Sequence, residues 1–103
     1  MIRHCVLLNL ASGHDLTPVA EPMRILGALA GEIDGMLEFS WGPNRDYENK
    51  SQHFHCGFVA VFRDRDAHLV YEKHPEHVRA GGMLIAACEG GYDGIFVADL
   101  ETD

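Results

Sequence analysis

The chain has few cysteines, few basic residues and no long apolar segment, and each shortage argues against a class of protein. Cys5, Cys56 and Cys88 are far apart and form no Cys-x-x-Cys motif, so neither a disulfide framework nor a thiolate metal site is expected. The natural location of such a chain is a reducing cytoplasm. The residues after Met1 pass directly into a strand pattern, and neither export nor membrane insertion is expected.

Lysine and arginine are outnumbered two to one by acidic residues. The eight basic residues are scattered, the 16 acidic ones give a formal net charge of -8, and nucleic acid and anionic membranes are therefore poor partners. Apolar residues are abundant, at 47% of 103 residues, which fits one compact domain over residues 1–103. A domain of this size leaves much apolar surface exposed, and a homodimer is a reasonable expectation.

Apolar periodicity predicts four strands and two helical regions. The strands fall at 2–10, 36–41, 53–62 and 92–100, and the first helix at 18–33 with Thr17 as its N-cap. Asp64 can cap a short helix that presents Ala67, Val70 and Tyr71, and a last helix over 75–89 presents Val78, Met83, Leu84 and Ala87. The order is βαββαβ, which predicts a ferredoxin-like four-stranded antiparallel sheet with helices on one face.

The third and fourth strands are apolar on both faces, although helices can cover only one. In the third strand Phe58 and Phe62 lie on one face and Val59 and Val61 on the other. The uncovered face is therefore expected to pack against a second copy of the chain and to form a two-fold dimer. The pattern does not decide which of the two sets faces the partner.

The most distinctive segment is Tyr71-Glu72-Lys73-His74-Pro75-Glu76-His77-Val78. Histidine and tyrosine are suited to proton transfer and hydrogen bonding near neutral pH, and a proline at a helix start fixes how they are aimed. A simpler interpretation is that His74-Pro75 only separates two helices. His4 is a third candidate, because it shares a strand face with Ile2 and Val6 and so places a polar group in an apolar layer.

Three segments together resemble the stress-responsive α/β-barrel (Dabb) family: residues 1–8, Trp41-Gly42, and the segment 71–78 with its His-Pro-x-His-Val element. The resemblance covers almost the whole chain. It implies ferredoxin-like subunits whose sheets pair into a dimeric α/β barrel. Many members of the family have no known activity, some plant members are linked to stress tolerance, and one plant member is a polyketide cyclase that performs an aldol closure without a cofactor.

The chain is similar to that cyclase at His4, Tyr71 and His77, and this similarity implies a general base at His77 and an orienting donor at Tyr71. An aldol closure needs a base that removes a carbon-bound proton and a donor that steadies the enolate oxygen, and an imidazole and a phenol can fill those roles without metal. The chain departs from the cyclase at Leu26, where simple counting places a tyrosine of the cyclase. This departure weakens any transfer of the cyclase's substrate.

Three hypotheses follow. The first is a homodimeric stress-responsive protein that binds a small, largely apolar ligand between sheet and helices; the second is a cofactor-free cyclase-type enzyme; the third is a structural stress protein without a ligand. An open cavity beside Tyr71 and His77 favours the first two. His53 with His55, and His74 with His77, have spacings from which a metal site could be built, but no third ligand is evident and no metal or cofactor is expected.

Overall fold

The computed structural model describes all of residues 1–103. Four strands form one sheet in the order β2-β3-β1-β4, and every pair of neighbours is antiparallel. The strands are β1 (Ile2–Leu8), β2 (Met36–Pro43), β3 (Cys56–Phe62) and β4 (Ile95–Glu101). At the centre of the sheet Val6 lies opposite Phe58 of β3 and Val97 of β4. The predicted ferredoxin-like arrangement is confirmed.

Three α-helices cover one face of this sheet. They are α1 (Ala20–Ala28), α2 (Arg65–Lys73) and α3 (Pro75–Ala87), with short 3-10 turns at Thr17–Val19, Leu29–Gly31 and Gly91–Gly94. The helix-facing residues of the two central strands are buried with Val19, Met23 and Leu26 in one apolar core. These strand residues are Ile2, Val6, Leu8, Cys56, Phe58, Ala60 and Phe62, and the polar side chain of His4 is buried on the same face. No helix has the length and apolar character needed to cross a membrane.

The junction between α2 and α3 follows the sequence prediction. The Asp64 carboxylate accepts a hydrogen bond from the Ala67 amide at 2.9 Å and so caps α2. His74 then takes an extended conformation before Pro75, and its Nδ1 accepts a hydrogen bond from the Glu76 amide at 3.1 Å. The two helices therefore meet at a defined corner, which fixes the direction of the first turn of α3.

The first helix begins differently from the prediction. Thr17 is not an N-cap: its amide and hydroxyl both donate to the Asp15 carboxylate, at 3.1 and 2.8 Å. Pro18 then lies in a 3-10 turn, and regular α-helix runs only from Ala20 to Ala28. The apolar spacing continues through the 3-10 turns on both sides, so periodicity alone could not separate them from the helix.

Two helix positions predicted to face the core are exposed. Val70 and Val78 are 54% and 63% exposed to solvent, because neighbouring histidines occupy the positions that face the core. His68 lies on the buried face of α2, and His77 lies on the inner face of α3. Strand limits also differ, since β3 begins at Cys56 and Tyr92 belongs to the 3-10 turn before β4.

Candidate functional site

An open cleft of about 420 Å³ lies between α3 and the β1–β4 side of the sheet. It exists because β4 is an edge strand that the helices do not cover, so Val97 remains 49% exposed although its cross-strand partner Val6 is buried. Most of the lining is apolar, and it includes Val6, Leu26, Leu84, Ile85, Ile95 and Val97. The polar side chains in its wall are His4, Tyr71, Glu72, His77, Tyr92 and Asp99. All three predicted site residues therefore line one cleft.

His77 lies in the first turn of α3 and is half-buried at the cleft wall. Its Nδ1 is 3.0 Å from the carbonyl oxygen of Glu72. A carbonyl only accepts, so Nδ1 carries the proton and donates, and Nε2 keeps its lone pair in the neutral ring. Burial lowers the pKa of His77, against the opposing effect of that hydrogen bond. The ring is therefore held as a neutral base near pH 7.

Tyr71 is fully buried, and its ring packs between Phe62 and His77, with centroid distances of 5.0 and 4.4 Å. Its hydroxyl is buried and has no hydrogen-bond partner. Burial, with a smaller effect of the Glu72 carboxylate, raises the pKa of Tyr71. The phenol is thus a neutral donor with unused hydrogen-bonding capacity behind the His77 ring.

His4 is held by Asp99, a residue that the sequence analysis did not single out. The β1–β4 register places the two opposite each other, and His4 Nδ1 lies 2.6 Å from Asp99 Oδ1. The carboxylate accepts, so Nδ1 donates to it. The His4 side chain is 11% exposed, whereas that of Asp99 is 44% exposed. Asp99 therefore fixes the orientation of the His4 ring at the edge of the cleft.

His68 is the second residue that the sequence analysis missed. It is 1% exposed, stacks on Phe62 at 4.9 Å and lies 4.8 Å from the His4 ring. Arg65 Nη1 is 2.8 Å from His68 Nδ1, and because arginine only donates, the His68 proton resides on Nε2. That Nε2 has no hydrogen-bond partner, although Glu72 Oε1 is 3.5 Å away. Burial lowers the pKa of His68, which keeps it neutral.

Nitrogen and oxygen atoms of His4, His68 and Asp99 lie within 4.8 Å of one another, a spacing from which a metal site could be built. The contact with Arg65 works against this use, because a metal at His68 Nε2 would need its lone pair while Nδ1 already accepts from a guanidinium. The arrangement is better suited to hydrogen bonding.

The two histidine pairs considered from sequence are not brought into such a group. His53 and His55 precede β3 rather than sharing one of its faces, and His55 Nδ1 accepts from the Leu10 amide at 3.0 Å. His74 Nε2 contacts Glu32 at 2.7 Å, whereas His77 lies against Tyr71. The strand placement expected for His53 and His55 was therefore wrong, and His74 and His77 have different partners.

Two of the three cysteines, Cys56 and Cys88, are not activated nucleophiles. Cys5, Cys56 and Cys88 are all free thiols. Burial raises the pKa of Cys56 to about 11 and also raises the pKa of Cys88. Both thiols are therefore protonated near pH 7, which makes them poor nucleophiles.

The opposite face of the sheet carries no helix. Its register positions include Cys5 and Leu7 of β1, Val59 and Val61 of β3, and Phe96 and Leu100 of β4. Phe96 and Leu100 are 50% and 54% exposed to solvent. A shallow depression of about 340 Å³ lies on this side, lined partly by Cys5, Leu7, Trp41 and Val59. The structure thus separates the two sets of the third strand: Phe58 and Phe62 face the helices, and Val59 and Val61 face away.

Fold and cleft together define a ferredoxin-like α+β protein with an open site between sheet and helices. The sequence profile of the Stress responsive A/B Barrel Domain (Dabb) matches residues 2–102. The chain therefore belongs to the Dabb family.

Individual relatives agree with this assignment. A dimeric ferredoxin-like protein from Jannaschia sp. CCS1 is 46% identical, with 98% of each chain covered and a TM-score of 0.92. The stress-response A/B barrel domain-containing protein At5g22580 of Arabidopsis thaliana is 27% identical over 74 residues, which are 71% of this chain and 67% of that protein. Hydroxynitrile lyase from Passiflora edulis is 18% identical, with 99% and 93% covered and a TM-score of 0.78; at this identity the likeness shows the fold alone.

Proposed function

We propose that this protein binds a small, largely apolar molecule that carries one hydroxyl or carbonyl group, in the cleft between α3 and the β1–β4 side of the sheet. The observation that carries the proposal is the coincidence of an apolar cleft of about 420 Å³ with a neutral imidazole and a buried phenol that have unused hydrogen-bonding capacity. Ligand sites commonly combine apolar walls with a few such convergent polar groups. A purely structural protein has no need of either feature.

The polar groups suit an uncharged ligand. His77 offers a lone pair on Nε2, so it accepts from a ligand hydroxyl. The Tyr71 hydroxyl, which has no partner in the protein and belongs to a residue of the same cleft lining, would donate to a ligand oxygen. Asp99 belongs to the cleft lining, and the negative charge of its carboxylate disfavours an anionic ligand.

The test uses 2-naphthol as a probe, because it is planar, apolar and carries one hydroxyl. Thermal unfolding is followed with and without 1 mM probe, together with naphthol fluorescence. For a dissociation constant of about 100 µM the added stability is about 1.4 kcal/mol, which raises the Tm by roughly 6 °C in a domain of this size. The control is His77→Ala, which should lose the shift. Equal shifts in wild type and His77→Ala would contradict the proposed site.

A second candidate is cofactor-free proton-transfer chemistry of the aldol type. The observation that favours it is that two imidazoles of the cleft are held in a fixed orientation. His77 Nδ1 donates to the Glu72 backbone carbonyl at 3.0 Å, and His4 Nδ1 donates to the Asp99 carboxylate at 2.6 Å. His77 Nε2 would take a proton from the carbon beside a carbonyl, and Tyr71 would donate to the enolate oxygen. The enolate carbon then bonds to a second carbonyl carbon, whose oxygen takes the proton back from His77.

This candidate has its own test. Exchange of carbon-bound hydrogen into deuterated water, observed by NMR for a β-diketone probe such as acetylacetone, reports the proton-transfer step apart from any ring closure. Enzymatic chemistry predicts exchange above the buffer rate in wild type and at the buffer rate in His77→Ala. One protein with this fold, the Passiflora edulis hydroxynitrile lyase, is an enzyme. Buffer-rate exchange in wild type would leave ligand binding as the function.

The assembly that we propose is a homodimer joined through the helix-free face of the sheet. Support comes from the apolar residues on that face, Leu7, Val59, Phe96 and Leu100 among them, and from the dimeric state of the 46% identical Jannaschia protein. Two such faces can bury each other about a two-fold axis. The three free thiols fit a reducing compartment, and a cytoplasmic location is part of the same proposal.

A further inference from the structure

Two adjacent glycines interrupt the middle of α3, where glycine is less stable than alanine. Gly81 and Gly82 both lie inside the helix Pro75–Ala87, and helix-interior glycine carries an entropic cost. Close packing does not require glycine at either position, because a Cβ added to Gly81 or Gly82 would meet no atom within 4 Å. Neither has a positive φ that would require glycine. The fold itself therefore gives no reason for glycine at these positions.

The two glycines differ in what they face. Gly81 lines the cleft, one turn after His77 and one turn before Ile85, which line it as well. Gly82 is exposed and is not part of the cleft wall. A Cβ added at Gly81 would lie in the cleft wall and one added at Gly82 would lie on the exposed side of the helix, and neither would meet another atom within 4 Å.

We propose that Gly81 is a specificity-determining residue, which leaves a notch between His77 and Ile85 where a planar apolar ring of the ligand lies flat on the helix backbone. Glycine is the residue that permits close approach of a backbone to a ligand. In that place the ring's polar substituent is beside His77, one helical turn away. The inference rests on the proposed function and narrows its ligand class to a planar ring bearing one hydroxyl or carbonyl.

The test compares matched substitutions at the two glycines. Gly81→Ala and Gly82→Ala should both raise the Tm, because each removes a helix-interior glycine without a clash. Gly81→Leu should weaken 2-naphthol binding at least ten-fold, and Gly82→Leu should leave it within two-fold of wild type. Decahydro-2-naphthol, which has the same carbon skeleton but puckered rings, should bind wild type at least five-fold more weakly than 2-naphthol.

Three other results would contradict the inference or the function on which it rests. If Gly81→Ala lowers the Tm while Gly82→Ala raises it, Gly81 is kept for packing and the inference is wrong. If Gly81→Leu binds 2-naphthol as wild type does, or if the two probes bind equally, the notch is not where a planar ring lies. If wild type binds neither probe, the proposed function fails and the inference falls with it.

Discussion

Tyr71→Phe should give a protein that is more stable and binds its ligand less well. The Tyr71 hydroxyl is buried without a hydrogen-bond partner, and leaving such a group unsatisfied costs about 1–3 kcal/mol. Phenylalanine keeps the ring and its contacts with Phe62 and His77. The free energy of unfolding should therefore rise by about 1 kcal/mol or more, and the Tm by roughly 4–8 °C.

The assay is thermal and urea unfolding followed by circular dichroism, with 2-naphthol titration of the same samples. Tyr47→Phe is the matched control, because Tyr47 is 93% exposed and its hydroxyl is solvated; its stability should stay within about 0.5 kcal/mol of wild type. Binding of 2-naphthol to Tyr71→Phe should be about 2- to 10-fold weaker than to wild type, because the loss of one neutral hydrogen bond has an effect of that size. A loss of 1 kcal/mol or more in stability would show that the hydroxyl is hydrogen-bonded in the free protein, and the reasoning would be refuted.

Three further predictions follow from the same contacts. Burial lowers the pKa values of His68 and His77, so below about pH 6.5 the unfolded chain binds more protons than the folded one. The free energy of unfolding should therefore be highest above about pH 6.5 and fall as the pH drops. Urea unfolding at pH 7.5 and 5.5 should show a smaller loss of stability in His68→Phe than in wild type. His77→Ala should abolish 2-naphthol binding, whereas His74→Ala should keep binding and lose about 1 kcal/mol because it removes the N-cap of α3; the reverse pattern would show that the wrong imidazole was chosen. Phe96→Asp should give monomers in sedimentation at micromolar concentration. Val78→Asp, at a position on α3 that is 63% exposed against 50% for Phe96, should leave dimers; a monomeric wild type would contradict the dimer proposal.

Much of the fold could be predicted because alternation along a strand decides which side chains share a face. His4 was placed with Ile2 and Val6 on that ground, and all three are buried against the helices. The corner at Pro75 and the cap at Asp64 are local features, and the structure has both. The 3-10 turns at either end of α1 were not separable from the helix, because their apolar residues continue its spacing.

The missed site residues depend on contacts that are distant in sequence or contrary to hydropathy. Asp99 contacts His4 only because β1 and β4, from opposite ends of the chain, pair in a register that places these two residues opposite each other. That register cannot be read from the sequence. His68 is buried although Val70, the more apolar side chain two residues later, is exposed. The stack on Phe62 and the contact of Nδ1 with Arg65 compensate only part of the imidazole's loss of water, since Nε2 has no hydrogen-bond partner.

His4 and His77, which line the candidate site, and His68, which is buried beside His4, differ in chemical capability because their partners differ in kind. His77 and His4 give Nδ1–H to oxygen acceptors, the Glu72 carbonyl and the Asp99 carboxylate, so in the neutral rings Nε2 is an acceptor. His68 receives a hydrogen bond from a guanidinium, so its Nε2 is a donor. The role of each imidazole is therefore decided by one neighbouring group. The histidines of the sequence indicated a candidate site, but only these partners determine whether Nε2 of each ring accepts or donates a hydrogen bond.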